Sequence, residues 1–255
     1  MAQLASLAAG DVRTVVERYS GLLEAHRELI NRLNVYPVPD GDTGTNMSLT
    51  VASVVDELHE QPASATMSEV CQAVAHGSLM GARGNSGVIL SQLLRGVADT
   101  FRDHEVVVPA TLAEALARAD RMARQAVVRP VEGTILSIAR AAAQGAEGAA
   151  DLAGLVRGAR DASRVALERT PEQLPVLAQA GVVDAGGAGL CLLLDALCNV
   201  VAGDPLPEAP SVDHLAVRAP ELAGAHHDGS TGELRYEVMY FLEAPDAAVG
   251  GFKDV

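Results

Sequence analysis

The first polar segment of the chain reads Leu33-Asn34-Val35-Tyr36-Pro37-Val38-Pro39-Asp40-Gly41-Asp42-Thr43-Gly44-Thr45-Asn46-Met47. On either side of it, apolar residues recur every three or four positions, which indicates one helix at 11–33 and another at 43–58. Between the helices, two carboxylates lie two residues apart on a glycine-containing turn. Carboxylate oxygens are ligands that Mg²⁺ prefers, so this segment predicts a metal-binding loop between two helices.

Helical periodicity continues through most of the chain. Thr66 and Glu69 form a capping-box pattern at the start of the third helix, and Thr111 and Glu114 form another at the start of the fifth. Short connections predict an all-α fold, an eight-helix antiparallel up-and-down barrel or bundle, with a short turn near 171–177. The helices are predicted at 11–33, 43–58, 66–81, 86–102, 111–129, 134–144, 151–168 and 187–201.

The C-terminal part of the chain differs in composition. Residues 203–231 are rich in Pro, Gly, His and acidic side chains, which is typical of a linker. Residues 232–243 have the pattern of a β-strand, and one strand is not stable alone. We therefore expect an eight-helix domain at 1–202, an acidic Pro/Gly linker at 203–231 and the start of an incomplete second α/β domain at 232–255.

The charge balance excludes several classes of function. The formal net charge is −14, and an acidic protein repels nucleic-acid phosphates and anionic membranes. We therefore expect no nucleic-acid partner and no membrane insertion. The sole lysine is Lys253, and no Gly-rich loop ends in Lys-Ser or Lys-Thr, which excludes a P-loop kinase. Any phosphate chemistry must rely on metal, helix N-termini and arginine.

The spacing of the three cysteines indicates the cellular compartment of the protein. Cys71, Cys191 and Cys198 have neither metal-ligand nor disulfide spacing, which favours reduced core thiols in a cytoplasmic protein. The sequence shows no signal-peptide pattern, and its longest apolar runs are interrupted by glycine or charge. We therefore expect a cytoplasmic location.

The order of the helices brings the unusual loops together. In an up-and-down bundle, the connections that enter helices two, four, six and eight all lie at the same end. Those connections concentrate Gly, Asn, Ser, Thr and Asp, whereas the loops at the opposite end are ordinary polar connections. Helix N-termini attract anions and glycines let a backbone approach a ligand, so this end suits a phosphate. The four segments are 34–46, 81–87, 129–134 and 183–189.

Each motif by itself has a structural alternative. Residues 40–44 also fit a turn followed by a helix cap, and residues 84–87 also fit a capped turn. Asp184 before nearby glycines also fits an N-cap with tight helix packing. A calcium EF-hand is excluded because, counting from the first aspartate, the sixth position is Thr45 and the twelfth is Val51. The functional interpretation depends on all four segments lying at one end.

Residues 33–47 resemble the N-terminal nucleotide-binding domain of the fatty acid kinase family, which is related to the ATP-binding L subunit of dihydroxyacetone kinase. Segments 81–92, 129–136 and 184–190 resemble the later motifs of that family in the same order. The resemblance covers residues 10–202. It implies an eight-helix antiparallel barrel that binds ATP or ADP and two Mg²⁺ ions at one end.

The resemblance also implies roles for individual residues. Asp40 and Asp42 would ligate magnesium and serve as the catalytic residues. Asn34 lies near the position of a third acidic metal ligand in dihydroxyacetone kinases, although here it is an amide. Arg83 is predicted from the sequence itself and not from the resemblance, because it is the basic side chain best placed to contact a phosphate. The alternative interpretation is that Arg83 is an exposed surface charge. The nucleotide would be bound by Thr43, Gly44, Thr45, Asn46, Gly84, Asn85, Ser86, Gly133, Thr134, Asp184, Ala185 and Gly186.

The function predicted from this resemblance is that of the nucleotide-binding part of an ATP-dependent kinase. The acceptor would be carried by a separate fatty-acid-binding protein, and transfer of the γ-phosphate to the fatty acid would give an acyl phosphate. Two alternatives stay open: a dihydroxyacetone-type kinase that acts on a small ketone, and a non-catalytic nucleotide-binding regulator. A homodimer is a further expectation, and the isolated chain is expected to bind nucleotide but to turn over slowly.

Overall fold

The computed structural model of the protein describes residues 3–209, and the strand predicted at 232–243 lies outside this range. Eight long helices correspond to those expected from the sequence, and two short ones replace the turn predicted near 171–177. Within the described range the helices are α1 (Ala9–Leu33), α2 (Thr43–Glu60), α3 (Met67–Met80), α4 (Gly84–Phe101), α5 (Pro109–Ala126), α6 (Ile135–Gly145), α7 (Leu152–Glu168), α8 (Thr170–Gln173), α9 (Pro175–Ala180) and α10 (Ala185–Ala202).

The long helices form a closed ring. From α1 to α7, each helix packs against the next one along the chain, and α10 packs against both α7 and α1. Apolar side chains from all eight long helices contribute to one continuous core. This arrangement confirms the predicted all-α, eight-helix antiparallel up-and-down fold, in which α2, α4, α6 and α10 begin at the same end.

The last helix of the ring is a core helix. By length and composition alone α10 could cross a membrane, and it is the one such helix in the described range, although the sequence alone predicts no such run. Since 72% of it is buried, packing among α1, α2, α6 and α7 explains its high hydropathy. The apolar character of α10 therefore reflects its position inside the bundle.

The two predicted capping boxes have different outcomes. At the start of α3, Glu69 N donates to Thr66 Oγ1 at 3.3 Å and Thr66 N donates to Glu69 Oε2 at 2.7 Å, which confirms the first. The second prediction was wrong, because α5 begins at Pro109 and Thr111 is a buried residue of its first turn. The proline ring presets the backbone for the first helical position, so the helix starts before the Thr-x-x-Glu pattern.

Two glycines let α6 and α7 approach closely. A Cβ atom added at Gly158 would lie 2.3 Å from the carbonyl oxygen of Gly145, and a Cβ added at Gly145 would lie 2.3 Å from the carbonyl oxygen of Gly158. Neither position can hold a larger side chain unless the helices separate. The crossing therefore fixes the C-terminal end of α6 against α7.

We predict that Gly158→Ala lowers the free energy of unfolding by about 1–3 kcal/mol, because the added methyl group forces α6 away from α7. Urea denaturation followed by circular dichroism measures the change. Gly21→Ala in α1 is the matched control: no atom lies within 4 Å of its added Cβ. It should raise stability by up to about 1 kcal/mol through helix propensity. Equal effects of the two substitutions would contradict the close crossing.

Candidate functional site

A cavity of 380 Å³ opens at the end of the bundle where α2, α4, α6 and α10 begin. One part of its wall is apolar and is formed by Val88, Ile89, Val127, Val131, Ile135 and Leu136. Six residues predicted for the site also line it, namely Thr43, Asn85, Ser86, Thr134, Asp184 and Gly186. The other predicted residues do not line it: Asn34, Asp40, Asp42, Gly44, Thr45, Asn46, Arg83, Gly84, Gly133 and Ala185.

Gly44 and Thr45 make contacts with α1 at the start of α2. A Cβ added at Gly44 would lie 2.3 Å from the carbonyl oxygen of Arg27, so only glycine permits this approach. Asn31 Oδ1 accepts a hydrogen bond from Thr45 N at 3.0 Å, and its Nδ2 donates to Thr45 Oγ1 at 3.0 Å. Asn31 was missed from the sequence, since an asparagine near a helix end gives no distinctive signal. It fixes the start of α2 and hence the end of the acidic loop.

Asp40 and Asp42 lie close together in that loop. The buried Asn34, at the end of α1, donates from Nδ2 to Asp40 Oδ1 at 2.6 Å. Burial raises the pKa of the Asp42 carboxyl, and a hydrogen bond and the charge from Asp40 raise it further, whereas a hydrogen bond with Asn46 lowers it. Two neighbouring carboxylates repel each other, so a bound cation would stabilise the pair.

The donor atoms of this loop fit Mg²⁺. No group of three or more His, Cys, Asp and Glu side chains within residues 3–209 could hold a metal ion. Mg²⁺ needs no such group, because it is often bound by one or two carboxylates, with water and ligand phosphates completing its coordination. Within residues 3–209, Asn34 Oδ1 is buried and has no hydrogen-bond partner, while Nδ2 of the same amide holds Asp40. The set suits a metal that arrives with a phosphorylated ligand.

The four helix starts at this end differ in their capping. The N-cap residues of α2 and α4 form no side-chain capping bond, although Asn31 of α1 accepts from Thr45 N in the first turn of α2; Thr134 caps α6 and Asp184 caps α10. Gly84 has a φ of +57°, and a Cβ there would lie 2.3 Å from Asn46 Nδ2, so α4 starts against the amide that supports Asp42. Uncapped N-terminal N–H groups can bind an anion. The half formed by α2 and α4 is therefore the one suited to a phosphate.

Asp184 is a buried carboxylate that joins two helices. Its Oδ2 accepts a hydrogen bond from Gly187 N at 2.7 Å, and the backbone N–H of Ile135, the first residue of α6, donates a second. Burial raises the pKa of Asp184 to about 6, and these two hydrogen bonds oppose that shift. The N-cap interpretation of Asp184 is confirmed, and a contact with ligand stays a prediction. The half of this end that is formed by the starts of α6 and α10 therefore already contains a negative charge.

Glu132 holds the connection between α5 and α6 in place. Its Oε2 accepts from Ser137 Oγ at 2.6 Å, and its Oε1 lies 3.1 Å from both Arg124 Nη1 and Arg140 Nη1. Ser137 Oγ in turn accepts from Gly133 N at 2.9 Å. The Ser137 hydrogen bond, with help from the two arginines, holds the pKa of Glu132 below its usual value. We missed this network from the sequence, because its partners come from two helices and a loop.

Arg83 is exposed and lies outside the cavity wall, and its contact with a phosphate stays a prediction. Its Nη1 donates to the carbonyl oxygen of Ala82 at 2.9 Å and to that of Met80 at 3.5 Å, and the residue does not line the cavity. Its backbone N–H donates to Thr50 Oγ1 at 3.2 Å, which ties the start of α4 to α2. In this structure the Arg83 side chain therefore supports the turn before α4.

Comparison with known proteins identifies a family for most of the chain. Residues 37–199 match the model of the DAK2 domain family. Protein YloV of Bacillus subtilis is 38% identical over 226 residues, which cover 86% of this chain and 40% of YloV. An uncharacterized protein of Staphylococcus saprophyticus is 43% identical over 188 residues, covering 72% of this chain and 34% of that protein. The chain thus spans well under half the length of these relatives.

Two solved structures share the fold. The dihydroxyacetone kinase of C. freundii in complex with AMP-PNP and Mg²⁺ has a TM-score of 0.55 and 20% identity, covering 78% of this chain and 35% of that one. The native form of the same enzyme has a TM-score of 0.58 and 20% identity, covering 74% of this chain and 34% of that one. At this level of identity the likeness supports the helical architecture.

We predict that Asp184→Asn changes how stability depends on pH. Burial raises the pKa of Asp184 from 3.8 to about 6, so the native state binds more protons than the unfolded state between these values and loses stability as the pH rises through them. Relative to the variant, the free energy of unfolding of the wild type should fall by up to about 3 kcal/mol from about pH 4 to about pH 7. Urea denaturation across this range measures the difference. A difference that does not vary with pH would contradict the buried titration.

Proposed function

This chain belongs to the DAK2 domain family, and from that membership and the geometry of its polar end we propose that it is the nucleotide-binding part of a kinase that uses ATP and Mg²⁺. The dihydroxyacetone kinase family is a family of phosphotransferases. The observation that carries the proposal is the carboxylate pair Asp40 and Asp42. The pair directly precedes Thr43, and Thr43 is the first residue of α2 and lines the cavity. A carboxylate pair that can ligate a metal thus meets a helix start whose N-cap residue makes no capping bond, at the edge of one cavity.

Different residues around the cavity bind the metal ion and the phosphates. Asp40 and Asp42 hold Mg²⁺, while Asn34 orients Asp40 and Asn46 orients Asp42 through the hydrogen bonds described above. The bound Mg²⁺ supplies neutralising charge to the phosphates; the resemblance to fatty acid kinase implies two such ions. The N–H groups at the starts of α2 and α4 bind the phosphate oxygens. Positioning and charge neutralisation are what phosphoryl transfer mainly requires of a protein.

The apolar part of the wall suits the base of the nucleotide. Val127, Val131 and Ile135 line the cavity where α5 ends and α6 begins, and Asp184 supplies negative charge at the neighbouring start of α10. A neutral purine ring loses little by leaving water for such a surface, whereas a phosphate would be repelled by the carboxylate. The base therefore lies toward α6 and α10, and the phosphates lie toward α2 and α4.

The acceptor that we propose is a fatty acid presented by a separate lipid-binding protein in the cytoplasm. Residues 33–47 support this choice, because they resemble the nucleotide-binding domain of fatty acid kinase over their whole length. The acyl carboxylate attacks the γ-phosphorus in line, the bond to the β–γ bridging oxygen breaks, and ADP and acyl phosphate result. No side chain of the chain has to be phosphorylated first. Because the relatives are much longer, the isolated chain should turn over slowly.

We predict that ATP binding requires both Mg²⁺ and the acidic loop. In calorimetric titrations with Mg²⁺ present, Asp40→Ala/Asp42→Ala should weaken ATP binding roughly 100-fold, because the metal loses its carboxylate ligands. Removing Mg²⁺ from the wild type should have a similar effect. Asp103→Ala/Glu105→Ala is the matched control, since it removes the same charge from two exposed residues of the connection between α4 and α5. Unchanged binding in a folded Asp40/Asp42 double variant would sink the proposed site.

The acceptor is tested separately. With a fatty acid on its carrier protein, the full-length relative of this chain should form acyl phosphate from ATP, and the isolated chain should do so far more slowly. Phosphorylation of dihydroxyacetone instead would favour the ketone kinase, which the likeness to the C. freundii enzyme makes the second candidate. Retained nucleotide binding without transfer to either acceptor would favour a regulator.

A further inference from the structure

Most arginines near the cavity already have partners. Arg83 donates to backbone carbonyls, and Arg124 and Arg140 pair with Glu132. Across the described range, three arginines make no side-chain hydrogen bond or ion pair, namely Arg121, Arg129 and Arg169. Of these three, only Arg129 lines the cavity. It is also the one cationic side chain among the residues that form the wall of that cavity.

The backbone that carries Arg129 is anchored, while its side chain is free. Glu132, three residues later, is bonded to α5 through Arg124 and to α6 through Ser137. A third anchor runs from Arg124 Nη2 to the carbonyl oxygen of Leu136 at 3.1 Å. The C-terminal part of this connection is therefore tied to both α5 and α6, three residues after Arg129. An exposed guanidinium on such a support can meet a ligand without disturbing the fold.

The carboxylates in and beside the cavity would repel an anionic ligand unless a cation is also present. Its wall contains one carboxylate, Asp184, and the adjacent loop adds Asp40 and Asp42. A nucleotide triphosphate adds further negative charge, which magnesium and helix N-termini neutralise only in part. A guanidinium is well suited to this task, because its planar set of donors can bind two phosphate oxygens at once. Arg129 is the side chain of the cavity wall that can do so.

We propose that Arg129 binds the phosphate chain of the nucleotide, a role that rests on the proposed function. It acts from the connection between α5 and α6, so it adds one cationic side chain of the cavity wall to the backbone donors at the starts of α2 and α4. Arg129 thus takes the phosphate-binding role that the sequence predicted for Arg83. The base makes no use of this guanidinium.

The test compares nucleotides on Arg129→Ala in calorimetric titrations with Mg²⁺. The dissociation constant of ATP should rise about tenfold or more, as expected for loss of a charge-assisted hydrogen bond, whereas that of adenosine should not change. Arg129→Lys should recover part of the ATP affinity, because it keeps the charge but loses the planar donors. The thermal unfolding midpoint should stay that of the wild type, since the side chain has no partner within residues 3–209.

Arg121→Ala is the matched control, because Arg121 is another exposed arginine of α5 without a side-chain partner in the described range, and it does not line the cavity. It should bind ATP as the wild type does. Wild-type ATP affinity in Arg129→Ala would overturn the inference and leave the proposed function standing. An equal loss in Arg121→Ala, or an equal loss for adenosine, would also overturn it. A wild-type chain that binds no ATP would overturn the proposed function as well.

Discussion

Helix α10 packs between α7 and α1 and closes a ring of long antiparallel helices. Its leucine, cysteine and alanine side chains are buried in the common core, which stabilises the fold by roughly 25 cal/mol for each Å² of apolar surface removed from water. Closure also brings the start of α10 beside the start of α6, where the Asp184 carboxylate caps both. The cavity at this end exists because the ring closes there.

The same end is divided by charge. Asp184 caps α10 and lines the cavity, and Glu132 is paired with Arg124 and Arg140, whereas Asp40 and Asp42 lie together before α2. In the proposed orientation, the anionic end of the nucleotide lies at the starts of α2 and α4, and its flat, neutral end lies against the apolar wall. Magnesium allows that anionic end to approach the two aspartates. The proposed kinase role depends on this carboxylate pair at the edge of the cavity.

The sequence predicts the eight long helices, their order and the end at which the polar loops meet, because apolar periodicity and loop length report directly on packing. It gives weaker information about where individual side chains point. Thr43 and Asn85 line the cavity as expected, but Arg83 turns back to the carbonyls of Ala82 and Met80. Asn31 and Glu132 were missed, since their contacts depend on how helices cross. The Thr111 capping box failed because Pro109 starts its helix earlier.

The most direct test of the site is a crystal structure of the chain with AMP-PNP and Mn²⁺, in which anomalous scattering locates the metal. We expect Mn²⁺ bound to the carboxylates of Asp40 and Asp42, with the phosphates at the starts of α2 and α4 and the base toward α6 and α10. A nucleotide bound at the opposite end of the bundle, or a metal that contacts neither aspartate, would contradict this assignment.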